Sequence, residues 1–185
     1  GSAEKEYDGT ALTKDEASIT GLVNGETATV TATGSQTEVG SSDNTYSIEW
    51  GTTDSNNYAI TEDLGTLEVT KNETTEVRLI AADAEKVYDG TPLSKTDGVT
   101  WEGLPAGFTV EASSTGSRTN AGSSANVVND GYVIKDGNGV DQTENFTNVT
   151  KVDGELKVTK APVTIKTGSA EKEYDGTALT KDEAS

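Results

Sequence analysis

The stretch GTLEVTK, residues 65–71, returns as GELKVTK at residues 154–160. In both, every second residue is apolar (Leu67 and Val69; Leu156 and Val158), with Glu, Lys or Thr between. Side chains alternate faces along a strand, so a period of two marks a pleated segment with one face in a core and one in water. A helix would need its apolar residues three and four apart. The glycine that opens each run separates it from what precedes it.

The same period runs outward along the chain. It predicts strands at Ala28/Val30/Ala32, Tyr46/Ile48/Trp50, Tyr58/Ile60, Val77/Leu79, Phe108/Val110 and Tyr132/Ile134. Thr and aromatic residues are frequent in these runs, as half-buried strands prefer. Asp8-Gly9, Asn24-Gly25, Asp89-Gly90, Asn129-Asp130-Gly131 and Asp153-Gly154 supply the tight turns between them. Residues 13–17 offer at most a single helical turn. The expected fold is therefore all-β, an elongated series of small modules. Each module is either an immunoglobulin-like sandwich or a β-grasp-like sheet.

Repeats set the module boundaries. Residues 1–18 and 168–185 are identical, an offset of 167 residues. Inside that offset, AEKEYDGTALTK from Ala3 reappears as AEKVYDGTPLSK from Ala84 and again from Ala170, with spacings of 81 and 86 residues. GLVNGETATV from Gly21 aligns with GLPAGFTVEA from Gly103, and TGSQTEVGSS from Thr33 with TGSRTNAGSS from Thr115. After each Val-Thr-Lys comes a short leading piece, at Val77-Arg78-Leu79 and at Val163-Thr164-Ile165. This phasing predicts a first unit at 1–73 that lacks its leading strand, a complete second unit at 74–160, and the leading strand and start of a third at 161–185. The chain reads as a window on a tandem array, an expectation the absence of Met supports. Modules of this size bury little core, so neighbours are expected to support one another.

Composition narrows the function. With 14 basic and 32 acidic residues the net charge is −18, which repels nucleic acid and anionic lipid. No apolar run is long enough to insert in a membrane. An apolar fraction of 31% beside such charge raises the prospect of disorder, which the matched apolar positions of two diverged units answer. His and Cys are absent, which excludes Ser–His and Cys–His nucleophiles, disulfides and thiolate metal sites. The scattered carboxylates imply no pocket for glycoside hydrolysis. An enzyme is not expected.

Tyr-Asp-Gly at residues 7–9, 88–90 and 174–176, with Gly-x-Leu-x-Val-Thr-Lys closing each unit, resembles the YDG and MBG-type repeats of large bacterial surface adhesins. The resemblance covers the whole chain. It implies non-catalytic stalk modules on the bacterial cell surface, strung between an anchor and a distal region that meets a host receptor. It carries no catalytic residues.

Each remaining candidate has a plain reading beside a sharper one. Tyr7 and Tyr88 pack on a core edge while Asp-Gly turns the chain, or they stack on a ligand. Trp50 and Trp101 are core or inter-unit packing, or carbohydrate platforms that would bind host glycan or protein with avidity. Asp54 and Asn56 (with Glu62 and Asp63 nearby) and Asp136, Asn138 and Asp141 are solvated turns, or oxygen ligands for Ca²⁺ between units, the one cofactor they would suit. Neither stretch matches a full calcium loop. Lys and Asn supply the ingredients of isopeptide cross-links, with no buried triad marked. Finally, Val163, Thr164 and Ile165 match the piece the first unit lacks. Strand donation between copies would join chains head to tail.

Overall fold

The computed structural model describes residues 1–181, so the last four residues of the expected third unit lie outside it. The chain is all-β. In the first unit, β1 (Ala3–Glu6) pairs in parallel with β5 (Thr66–Thr70), and β3 (Gly40–Asp43) pairs antiparallel on the other edge of β5. A separate hairpin joins β2 (Thr29–Ala32) to β4 (Tyr46–Glu49), with Val30 opposite Ile48.

The second unit repeats this plan and extends it. Here β7 (Ala84–Val87) pairs in parallel with β14 (Gly154–Thr159), β11 (Gly122–Val128) takes the other edge of β14, and the short β10 (Ser114–Thr115) adds to β11. The hairpin of β9 (Thr109–Glu111) and β12 (Val133–Lys135) sets Val110 opposite Ile134. The extension is a sheet built on the leading piece. In it β6 (Val77–Ile80) lies between β13 (Val149–Val152), parallel to it, and β8 (Thr100–Glu102), antiparallel. Two 3-10 turns, Ser55–Asn57 and Thr143–Asn145, occupy matching places in the two units.

Burial follows the alternation. Leu67, Val69, Leu156 and Val158 are buried while the Glu and Lys between them face water. Val77 and Leu79 of β6 have no exposed surface and join a core with Ala81, Phe108, Val128, Ile134 and Phe146. Every expected run forms a strand except Tyr58/Ile60 and the expected leading strand at Val163 to Ile165, both irregular. For Tyr58/Ile60 the reason is a missing neighbour. Counting back from Gly65 and Gly154, Ile60 to Asp63 hold the place of Val149 to Val152, and those become β13 by hydrogen bonding to β6. Among the described residues no strand stands in the place of β6 beside Ile60, so its backbone has nothing to pair with.

Candidate functional site

Three features recur or join the units: a local turn box, a junction between units, and an open slot in the first.

The box spans Lys5 to Thr10. One carboxylate oxygen of Asp8 accepts from the Lys5 Nζ (2.7 Å), the Thr10 amide (2.8 Å) and the Thr10 hydroxyl (2.7 Å). Asp89 repeats this with Lys86 and Thr91, and Asp175 with Lys172 and Thr177. These are Asx turns locked by a lysine three residues upstream, and they need no tertiary partner, since the third forms on an exposed tail. Partial burial opposes the Asp8 charge, yet the hydrogen bonds from Lys5 and Thr10 outweigh it and its pKa lies below the usual carboxylate value. The Lys172 and Thr177 hydrogen bonds hold Asp175 down at about 2. The Tyr-Asp-Gly-Thr motif stands out in the sequence, whereas the Lys three residues before its Asp does not. Their return at the same offsets in all three copies was the available signal.

The box aims Tyr7 out of the first unit and into the second. Its ring stands edge-on to Phe108 (centroids 6.0 Å apart, interplanar angle 89°) and to Phe146 (5.9 Å, 70°), which themselves meet at 5.3 Å. Such edge-to-face contacts suit the aromatic quadrupole. Tyr7 is 1% exposed, so its ring is committed to this packing and out of reach of a ligand. Burial first, then the charges of Glu38, Asp136 and Asp8, push its phenol up to about 12. Gly9 lies so close that a Cβ there would come within 2.8 Å of the Phe108 ring, at a φ of +78° that also favours glycine.

Asn72 ties the same junction through backbone groups. Its side chain donates to the Tyr7 carbonyl (2.9 Å) and accepts from the Thr75 amide (2.9 Å). Its backbone amide donates to the Asn145 carbonyl (2.8 Å), and its carbonyl accepts from the Thr147 amide (3.0 Å). In the sequence Asn72 stands out only as an Asn-Glu-Thr sequon, common in Thr-rich sequence, and the equivalent position after the second unit is Ala161. Two further buried amides, Asn44 and Asn126, occupy equivalent places. Asn44 donates to the Gly1 and Lys14 carbonyls, and Asn126 donates to the Ala82 carbonyl and to the Ser114 hydroxyl, which in turn donates to the Lys95 carbonyl. No lysine amine is among these partners.

The other expected sites separate. Tyr88 is 42% exposed, although its local sequence matches that of Tyr7. Trp101 lies in β8 opposite Leu79 and is 38% exposed. Trp50 stacks on Tyr58 at 6.3 Å. Asp54 accepts from Asn56 as the cap of a 3-10 turn. Asp136 accepts from the amides of Asn138 and Val140 and from the side chain of Gln142, and Asp141 accepts from Thr143. These oxygens close turns, and among the described residues no three acidic groups are placed to hold a metal ion.

The slot is a cleft of about 780 Å³ in the first unit, lined by Leu22, Val30, Ile48, Trp50, Tyr58 and Ile60 among others. It opens between residues 15–20 and 59–65. Those two segments match the flanks of β6 in the second unit. Tyr46 donates to Glu62 and Tyr58 to Glu26 on its rim, bonds that raise the pKa of both phenols. The sequence-matched piece, Val163 to Ile165, pairs with no strand among the described residues, and its Val163 and Ile165 are 87% and 84% exposed.

No helix among the described residues is long and apolar enough to cross a membrane. No curated protein matches the chain. Residues 2–68 match the family model described as MBG domain (YGX type), a repeat-type module and not a known enzymatic family. Residues 2–68 are thus similar to MBG-type repeats, the kind that the Tyr-Asp-Gly box and closing strand suggested.

Proposed function

We propose that the chain is a segment of the stalk of a bacterial surface protein, in which non-catalytic β modules set in series hold a distal region away from the cell. MBG-type repeats belong to surface proteins, and that setting supports an extracellular location. The observation that carries the reading is the junction. Tyr7 of one unit completes the aromatic core of the next, and Asn72 fastens the connecting backbone on both sides. A spacer needs such coupling, because modules joined only by flexible linkers coil up and lose reach. The acidic surface keeps neighbouring stalks apart.

Small-angle scattering on arrays of increasing repeat number tests this. A stalk adds a constant length per unit, on the order of 30–45 Å for compact domains of this size. A radius of gyration that grows as for a globule or a flexible coil refutes it. Saturable binding of a glycan or host protein by the isolated repeats would replace it with a receptor function.

A further inference from the structure

Three strand pairs are parallel: β1 with β5, β6 with β13, and β7 with β14. Every other strand pair among the described residues is antiparallel. In the second unit the first two strands, β6 and β7, pair with the last two, β13 and β14. The register is shared: Val77 meets Val149 and Ala84 meets Leu156, each 72 residues further on. Contact persists between the two ladders. The Ala81 amide bonds the Val152 carbonyl (2.9 Å), and the Glu155 amide bonds the Asp83 carboxylate (2.6 Å). The two segments therefore form one seam, closed at its ends by the Val77 amide to the Asn148 carbonyl (2.9 Å) and the Tyr88 amide to the Thr159 carbonyl (2.8 Å).

We propose that this seam is a mechanical clamp, which makes the unit resist tension applied along the chain. The proposal rests on the stalk reading only for the direction of pull. In a parallel pair, the start of one strand and the end of the other lie at opposite ends of the ladder. Tension entering before β6 and leaving after β14 slides the two sides of the seam past each other along their length. The bonds stand across that direction, evenly spaced, and bear the load together. Had the first and last strands paired antiparallel, both attachment points would lie at one end, and the bonds would open one after another.

Side chains lock the seam against slipping. Val77, Leu79, Leu156 and Val158 are all buried, so a slip of one residue would turn each of them out of its core. A threonine hydroxyl adds a rung in each parallel pair: Thr150 to the Val77 carbonyl (3.5 Å), Thr159 to the Lys86 carbonyl (3.3 Å) and, in the first unit, Thr70 to the Lys5 carbonyl (3.4 Å). Where the two sides cross from one sheet to the next, Gly154 lets them approach; a Cβ there would come within 2.5 Å of the Ala82 carbonyl oxygen. Asn126 holds that carbonyl from the other side (2.8 Å). The backbone leading into the seam is paired in the same sense, since Asn72 forms a parallel bridge with Phe146.

Single-molecule pulling on the full chain tests the proposal. The chain has no cysteine, so an introduced pair sets the direction of pull. Glu73→Cys/Lys160→Cys, at exposed positions on either side of the seam, loads it along its length. Tyr88→Cys/Lys160→Cys places both attachment points at one end of the β7–β14 ladder and peels it open. At equal pulling speed the first pair should give a single sharp rupture at several-fold higher force than the second. That rupture should release at most about 300 Å of chain from residues 74–160. All four strands keep their residues in both variants, and the melting temperatures should agree, so a difference in force reports direction and not stability. Equal forces in the two directions, or an extension without a rupture step, overturn the clamp. Scattering measures length without load, so a clamp that fails leaves the stalk reading standing, and an array that coils in solution refutes the stalk while the clamp remains.

Discussion

Replacing Tyr7 by Ala should uncouple the two units, and the same replacement at Tyr88 is its internal control. Tyr7 is 1% exposed between Phe108 and Phe146, whereas Tyr88 is 42% exposed. Truncating a large buried aromatic costs about 3–5 kcal/mol in lost transfer energy and residual cavity. Of this, about 0.5–1.5 kcal/mol comes from each of the two ring contacts. At about 2–4 °C per kcal/mol for a chain of this length, the melting temperature should fall by roughly 10 °C. Tyr88→Ala should cost about 1 kcal/mol or less, since most of what it removes is already in water. Urea unfolding followed by tryptophan fluorescence reads both units, because Trp50 lies in the first and Trp101 in the second. With Tyr7→Ala the two probes should both shift and should part from a common midpoint, because the lost ring belongs to one unit and its socket to the other. If the two alanine variants agree within about 0.5 kcal/mol, the junction does not couple the units and the argument fails.

Alkaline titration gives a second check on the same ring. Tyr7 has a folded pKa of about 12 against about 10 unfolded, so folding holds its proton more tightly. Its contribution is complete below pH 10 and is lost as pH rises towards 12; a Tyr7→Phe variant should lack that part of the decline. Asn72→Ala removes a side chain that donates to Tyr7 and accepts from Thr75, leaving buried backbone groups unpaired, and should cost about 1–3 kcal/mol by chemical denaturation. Asn126→Ala should cost a similar amount in the second unit, where its amide bonds Ala82 and Ser114. The tail box predicts an acid titration: the Thr177 amide shift should follow Asp175 with a midpoint at about 2, and Lys172→Ala should move that midpoint up. An amide titrating at the ordinary carboxylate value of about 3.9 would show the box unformed.

Strand positions were legible where the pattern is local. Leu67/Val69 and Leu156/Val158 alternate because a pleat does, and burial follows. The Asp-Gly turns were legible for the same reason: one carboxylate, one lysine and one threonine within six residues complete them, even on a free tail. The repeat offsets fixed which unit lacked a leading piece. What lay beyond the sequence was contact across distance. Tyr7 and Tyr88 share a motif and differ in fate, because only Tyr7 meets a Phe108–Phe146 socket about a hundred residues or more away. Ile60 and Val149 hold equivalent places, yet only Val149 becomes strand, since a backbone pairs only when a partner lies beside it. Periodicity is a property of one segment and can be read from it; pairing and packing belong to two segments at once, and the folded chain alone decides which two.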